Sequence, residues 1–331
     1  MRKKTALVTG AGGFIGHHMV NYLKSLGYWV RGADIEEFEF GDTAADEFEL
    51  VDLRGWDACL KATSGVAEVY NLAADMGGIG YITAFRADVA RNNVLINAHM
   101  LEAARENGVA RYFFSSSACI YPAYRQESAD VTPLAEEHAY PAEPEEGYGW
   151  EKLYAEKLCQ YYTEEGKLDT RVARFHNIYG PLGTFEGGRE KAPAAISRKV
   201  ALVEDGGEIE VWGDGQQTRS FTYVDDCVEG IYRIAQSDHS QPLNLGTDRL
   251  VTIDELVDLV ADAAGKTVTT RHDVSKPQGV RGRNSDNSKL REVLSWEPQI
   301  TLEEGLRRTY AWIEEELRKS GRLPQVRTLS V

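Results

Sequence analysis

Tyr148-Gly149-Trp150-Glu151-Lys152 sets a phenol and an ammonium four residues apart. On a helix that spacing brings both to one face. The ammonium lowers the phenol's pKa and can hold a ribose. A tyrosinate so made can take a proton from a substrate hydroxyl while hydride leaves for a nicotinamide. Such a pair occurs by chance in many helices, so its weight comes from its surroundings. Two other stretches stand with it. Arg111 to Ser117, RYFFSSS, reads as a strand ending in hydroxyls, and Thr5 to Gly16, TALVTGAGGFIG, reads as a strand running into a glycine turn.

These groups need elements to position them. Ala6-Leu7-Val8 is an apolar run of the kind found in a buried parallel strand. Gly10, Gly13 and Gly16 follow at G-x-x-G-x-x-G spacing, which departs from the usual G-x-G-x-x-G fingerprint. Gly10 permits a tight turn, Gly13 a close approach to a pyrophosphate, and Gly16 close packing of the following helix. That helix directs its positive N-terminal end at the phosphates. Residues 28–33 read as a second strand, closed by Asp34, an acceptor for the adenosine ribose hydroxyls. Ile35-Glu36-Glu37 carries no basic residue to meet a 2′-phosphate, so NAD is expected rather than NADP. Asp52 ends a third strand, where it either binds the adenine amino group or caps the next helix. Val66 to Ala74 reads as a fourth strand running out into small residues, Leu72, Ala73 and Ala74, across which a cofactor can lie.

The glycine-rich DMGGIG stretch at 75–80 is either a plain turn or a backbone approach to substrate. Asn92, Asn93 and Asn97 fall within a helix from about Ala87 to Asn107. Asparagine is a poor helix former, so they suggest a buried polar contact. Residues 171–175 make a sixth strand. The expected class is α/β: a doubly wound, Rossmann-like parallel sheet with a smaller, partly interleaved C-terminal substrate-binding region. Residues 1–177 are expected to be mainly the NAD domain and 178–331 mainly the substrate region, with a segment near 209–245 returning to the sheet. Short strands are expected at Ile209–Trp212 and Phe221–Val224, and helices at Ile253–Ala264 and Leu302–Lys319.

The 331 residues are 42% hydrophobic, enough for a sizeable core. A net charge of −15 disfavours nucleic acid and anionic membranes as partners. No apolar run approaches the ~20 residues of a membrane span. Met1-Arg2-Lys3-Lys4 leads straight into the first strand, and a cytoplasmic protein is expected. The four cysteines lie far apart, His17 and His18 point in different directions, and no metal site is expected.

The glycine turn at 10–16, Asn71-Leu72-Ala73-Ala74, the Ser117 strand end, Tyr148/Lys152 and Arg174-Phe175-His176-Asn177-Ile178-Tyr179-Gly180-Pro181 together resemble the extended short-chain dehydrogenase/reductase family of nucleotide-sugar enzymes. The resemblance spans nearly the whole chain. Longer strings narrow it to members that invert C3 and C5 of GDP-mannose. They are Ala74 to Gly78, Ser116 to Pro122, Gly187-Gly188-Arg189-Glu190-Lys191-Ala192-Pro193, Trp212 to Gly215, Gln217 to Ser220 and Gly279 to Asn287. The resemblance implies transient oxidation at C4 by tightly held, recycled NAD. The ketone acidifies C3 and C5, and inversion at either needs a base on one face and an acid on the other.

By resemblance, Ser117 polarises the reacting oxygen, Tyr148 and Lys152 serve the oxidation, Cys119 is the base and Lys191 the acid. Gly10, Gly13, Phe14, Ile15, Gly16, Asp34, Asp52, Leu72, Ala73 and Ala74 are expected at NAD. Gly77, Ser117, Ala118, Cys119, Asn177, Glu190, Lys191, Ala192, Lys199, Gln217, Thr218, Arg219 and Arg283 are expected at the GDP-sugar. The grouping of Arg189, Lys191, Arg198, Lys199, Arg219, Arg281 and Arg283 suits a diphosphate, or else pairs with local acids. Competing outcomes on the same fold are a 4,6-dehydratase, a 4-epimerase, or an NAD-binding protein without catalysis. A homodimer is implied through Val89–Asn107 and Gly149–Glu165.

Overall fold

The computed structural model describes residues 4–324. β1 (Thr5–Thr9), β2 (Trp29–Asp34), β3 (Glu47–Leu50), β4 (Glu68–Asn71), β5 (Arg111–Ser117) and β6 (Thr170–Phe175) carry the apolar runs read above. They form one seven-stranded sheet, completed by a strand from far down the chain. β7 (Ile178–Tyr179), β8 (Glu208–Trp212), β9 (Thr218–Arg219) and β10 (Thr222–Tyr223) lie outside it, and β11 (Leu243–Leu245) is that completing strand. The order is β11-β6-β5-β4-β1-β2-β3, with every pairing parallel. Strand order reverses between β1 and β4, and a cleft opens at that switch point.

Helices cover both faces: α1 (Phe14–Ser25), α2 (Trp56–Ala62), α3 (Ile79–Ala84), α4 (Arg86–Glu106) and α5 (Tyr148–Glu164) in the first half. α6 (Ala192–Leu202) belongs to the second region. α7 (Val224–Gln236) returns to pack on α1 and β6. α7 does so because Val224, Val228, Ile231 and Ile234 recur at helical spacing and are all buried. Each contributes about 1.5–3 kcal/mol relative to exposure.

The second region holds three small sheets. β12 (Val251–Thr252), β9 and β14 (Gly282–Arg283) make one; β13 (Thr269–Asp273) pairs with β8; β10 pairs with β7. α8 (Ile253–Ala264), α9 (Ser288–Leu294) and α10 (Leu302–Lys319) complete the chain, and α6, α8 and α10 pack together. The start of α8 is written locally. Thr252 Oγ1 accepts from the Glu255 amide at 3.0 Å, and the Glu255 carboxylate accepts from the Thr252 amide at 3.0 Å. This reciprocal cap is the S/T-x-x-E pattern.

Two of the expected strands are shorter than the sequence suggests. The Val66–Ala74 strand is only Glu68–Asn71, because the Leu72 and Ala73 amides are taken by the Thr9 hydroxyl at 3.0 and 3.1 Å instead of by a neighbouring strand. The Phe221–Val224 strand shortens to Thr222–Tyr223, since Val224 already opens α7.

Candidate active site

Two cavities meet at the carboxyl ends of the central strands. The first, of about 530 Å³, is lined by Gly10, Gly13, Phe14, Ile15, Gly16, Asp34, Asp52, Leu72, Ala73, Ala74 and Gly77. Its floor is backbone that no side chain could replace. A Cβ on Gly16 would stand 1.9 Å from the Gly10 carbonyl oxygen. Gly10 itself has φ 69°, and a Cβ there would meet the Ala73 amide at 2.9 Å. Gly12, which the sequence reading assigned no role, is equally constrained: its Cβ would lie 2.1 Å from the Glu36 carbonyl oxygen.

Asp34 locks this turn to the end of β2. One carboxylate oxygen accepts from Gly12 N at 2.9 Å and the other from Ile35 N at 2.6 Å. Burial raises its pKa, and these backbone donors oppose the rise. Asp52 does not cap α2, whose N-cap is Gly55. It forms a two-oxygen pair with Arg54, which holds its carboxyl below the usual range.

The second cavity, of about 460 Å³, adjoins the first and shares Met76, Gly77, Ile178 and Lys191 with it. Ser117, Ala118, Cys119, Tyr148, Asn177, Glu190, Lys191, Ala192, Lys199, Gln217, Arg219 and Arg283 line it. Two expected residues are exceptions: Lys152, almost wholly buried, lines neither cavity, and the other is Thr218. It is buried outside that lining, its hydroxyl spent on the Ala129 carbonyl at 2.5 Å.

β5 delivers Ser117, whose Oγ caps the short turn Ala118–Ile120 by accepting from Cys119 N at 3.2 Å. α5 delivers Tyr148 and Lys152 on one face. Tyr148 and Ser117 line the same cavity, and burial first, with the Glu151 and Cys119 charges after it, pushes the Tyr148 pKa well above the usual range. Burial therefore outweighs the lowering expected from the ammonium. Lys152 Nζ is bonded to the Ser115 carbonyl at 3.0 Å, and burial lowers its own pKa. Nζ also lies 5.5 Å from the centre of the Tyr148 ring.

Cys119 is half-buried, and Arg283 Nη1 stands 3.4 Å from its sulfur. Burial and Glu145 raise the thiol pKa, while Arg283 lowers it, and burial dominates. The thiol form is therefore favoured, although the resemblance makes Cys119 the base. Lys191 precedes α6 as its N-cap residue, and burial lowers its pKa.

The basic cluster divides. Arg281 is paired with Asp214 at 2.8 Å, and Arg198 Nη2 lies 3.5 Å from Glu190 while its Nε donates to the Phe185 carbonyl. Arg189 donates to the Tyr81 hydroxyl at 2.7 Å and lies over its ring. Arg219 donates only to backbone carbonyls, and burial lowers its pKa to about 9. Lys199 donates to the Glu210 carbonyl at 2.7 Å. Lys199, Arg219 and Arg283 face the cavity; among the described residues Arg283 has Glu145 at 3.9 Å and the other two have no carboxylate ion-pair partner.

Behind α5 lies the contact that the asparagines foretold. Glu151 accepts from Asn93 Nδ2 at 2.9 Å and Asn97 Nδ2 at 3.1 Å. Asn97 Oδ1 in turn accepts from Asn71, which accepts from Thr9. Asn93 also holds the Asp75 amide and carbonyl. One buried chain therefore ties β1, β4 and the 75–80 loop to the catalytic helix. Burial pushes the Glu151 carboxyl up to about 7.

A family model described as the NAD dependent epimerase/dehydratase family matches residues 6–246. The chain belongs to that family. It is 49% identical over 314 residues to GDP-mannose 3,5-epimerase 1 of Oryza sativa subsp. japonica, covering 94% of this chain and 82% of that one. It is 48% identical over the same span to GDP-mannose 3,5-epimerase of Arabidopsis thaliana, with the same coverage. Among solved structures it resembles UDP-glucose 4-epimerase with UDP-glucose from Thermotoga maritima, at TM-score 0.83 and 27% identity, over 95% of this chain and 99% of that one. NAD is the family's cofactor, and the first cavity fits it: a backbone cradle at a helix N-terminus, with an acceptor carboxylate at the end of β2. Glu145, Gln126, Gly12 and Tyr81 also stand in or beside the site and were missed from the sequence. Gly12 lies within the glycine turn, Tyr81 directly after the 75–80 stretch and Glu145 three residues ahead of Tyr148.

Proposed function

We infer that this chain is a GDP-mannose 3,5-epimerase, producing GDP-L-galactose by double inversion and GDP-L-gulose by inversion at C5 alone. The observation that carries the reading is the meeting of Ser117, Tyr148, Cys119 and Lys191 in one cavity that adjoins the cofactor cleft. The identity to the two plant epimerases over 94% of the chain supports it.

Gly10 to Gly16 and Asp34 would hold the pyrophosphate and ribose of NAD and Lys152 its second ribose, and NAD bound there would supply reversible hydride acceptance from C4. Tyr148 takes the C4 hydroxyl proton while Ser117 donates a hydrogen bond to that oxygen. The resulting 4-ketone acidifies H5 and H3. Cys119 removes a proton from one face of the ring, and Lys191 delivers one to the other. Arg283, Arg219 and Lys199 neutralise the diphosphate. A simple 4-epimerase, the strongest alternative on this fold, has no use for a base and an acid at C5.

A homodimer is part of the proposal. Val94 and Leu95 on α4 and Trp150, Tyr154 and Tyr161 on α5 are exposed, Tyr154 by 54%, so two packed helices present apolar surface outward. The cytoplasm is proposed as the compartment: no described helix is long and apolar enough to cross a membrane, and all four cysteines are free thiols.

The test is proton NMR of GDP-mannose with the purified protein in deuterium oxide, without added NAD. Deuterium at C5 and C3, with new GDP-hexose signals, is expected. A stable 4-keto product lacking the C6 hydroxyl would replace the reading with a dehydratase, and inversion at C4 without exchange would replace it with a 4-epimerase.

A further inference from the structure

Double inversion sets a problem for the base. In the mannopyranose chair, H3 and H5 are both axial and point to the same face of the ring. One base on that face must therefore act twice. After the first inversion it carries the proton it removed and cannot remove another. Cys119 and Lys191 are fixed on separate elements, the turn after β5 and the N-cap of α6, so they cannot exchange faces.

Glu145 stands where the spent thiol could be emptied. Its amide donates to the Cys119 carbonyl at 2.9 Å. The first turn of α5 is pressed against the same carbonyl, since a Cβ on Gly149 would lie 2.3 Å from that oxygen. Backbone thus clamps the two residues together. Glu145 and Cys119 line the same cavity and are bridged by Arg283, whose Nη1 stands 3.4 Å from the Cys119 sulfur; Glu145 Oε1 is buried with no hydrogen-bond partner among the described residues. Its Oε2 lies 3.9 Å from Arg283 Nη2. Arg283 is itself held by the Gln126 side-chain oxygen at 2.5 Å, and the Gln126 amide is anchored on the Tyr121 and Pro122 carbonyls. Tyr148 and Arg219 are the other ionisable groups that feel the Glu145 charge.

Given the two inversions inferred above, we propose that Glu145 is a proton relay that returns Cys119 to its thiolate between the first inversion and the second. The S–H bond of Cys119 breaks, an O–H bond forms on Glu145 Oε1, and the electron pair stays on sulfur. The proton then leaves to water, and Lys191 recovers one from water. Nothing is oxidised or reduced in this step. Arg283 holds the new thiolate beside the neutralised carboxyl.

The experiment is Glu145→Gln holoenzyme with GDP-mannose in deuterium oxide, read by proton NMR at C5 and C3 separately. Thiol predominates at Cys119 before substrate binds, and the minority thiolate in exchange with solvent serves the first inversion in parent and variant alike. C5 exchange is therefore expected within about threefold of the parent, while C3 exchange and the doubly inverted product fall by about tenfold or more, a proton-transfer effect. Raising the pH should restore C3 exchange in the variant, because hydroxide takes over the relay. Equal slowing at both carbons, or an unchanged product ratio, overturns the relay. Where circular dichroism shows that the glutamine variant does not fold, Glu145→Asp takes its place. A product ratio shifted toward single inversion then supports the relay, and a parental ratio overturns it. Failure of the parent protein to exchange C5 at all would sink the epimerase reading itself, a result distinct from either of these.

Discussion

The two cavities share a wall at Met76, Gly77 and Lys191 but are built from different materials. The floor of the cofactor cleft is the backbone of the 10–16 turn, with walls from residues 34–36, 51–54, 72–77 and 178–184. Gly12 and Gly16 sit against carbonyl oxygens at distances that forbid a Cβ, and Asp34 at the end of β2 is tied to the turn it serves. The substrate cleft is mostly side chains, gathered from the end of β5, the start of α5, the start of α6, β9 and β14. A backbone cradle binds what every dinucleotide has, a pyrophosphate and a ribose. A side-chain assembly binds and transforms one particular sugar. The first tolerates little change anywhere; the second tolerates change except at a few reacting atoms.

The sharpest way to break that contrast is at the phenol. Tyr148→Phe should lower turnover by about 10³-fold, within the range for a lost general base, with the circular dichroism spectrum unchanged. Turnover within tenfold of the parent would remove Tyr148 from the oxidation. Next in size is Cys119→Ala. Oxidation at C4 should persist, seen as absorbance of reduced cofactor on mixing with GDP-mannose, while deuterium uptake at C5 should fall by about 10² or more. Undiminished uptake would place the base elsewhere.

The backbone half is probed by Gly16→Ala. With a Cβ 1.9 Å from a carbonyl oxygen the turn must distort, and the variant should purify without NAD and lose about 1–3 kcal/mol of stability by chemical denaturation. A variant that retains both cofactor and stability would show that the turn is more plastic than its contacts indicate.

The network joining the two halves supplies an effect that shows only as pH changes. The Glu151 carboxyl titrates near 7 in the folded protein, above its usual 4.5, so the folded state holds its proton more tightly than the unfolded state does. The stability this contributes is full below pH 4.5 and is lost as pH rises through about 7, a change of roughly 3 kcal/mol at most. Glu151→Gln should flatten that part of the stability-versus-pH curve. An unchanged curve would mean that the Asn93 and Asn97 amides already hold the carboxylate charged.

The fold was legible because its signals are local and repeated. Buried parallel strands write themselves as apolar runs such as Ala6-Leu7-Val8, and α8 announces its start with Thr252 and Glu255. The glycine turn and Asp34 were legible for the same reason: a dinucleotide cradle is a short-range object. Tyr148 and Lys152 were found by helical spacing. The mid-helix asparagines pointed to a buried contact, although not to its partner Glu151. Much of the rest of the site rested on the match of longer strings to known enzymes, since nothing in the neighbourhood of Lys191 or Arg283 indicates what they face. Thr218 shows the limit of that approach. A residue inside a matched string is turned to the Ala129 carbonyl, because alternate residues of a strand point to opposite sides.

Sequence by itself determined the α/β order, the NAD turn, the preference against a 2′-phosphate and the pairing of phenol with ammonium. All of these follow from residues within a turn or two of one another, where covalent geometry sets distance. Only the tertiary structure decided which arginines face the cleft and which are spent, Arg281 on Asp214 and Arg198 on Glu190, because that depends on which acids the fold brings near. It also decided the protonation of Cys119 and Tyr148. Their pKa values rise through burial, and burial is a property of everything packed around a group rather than of its neighbours in the chain.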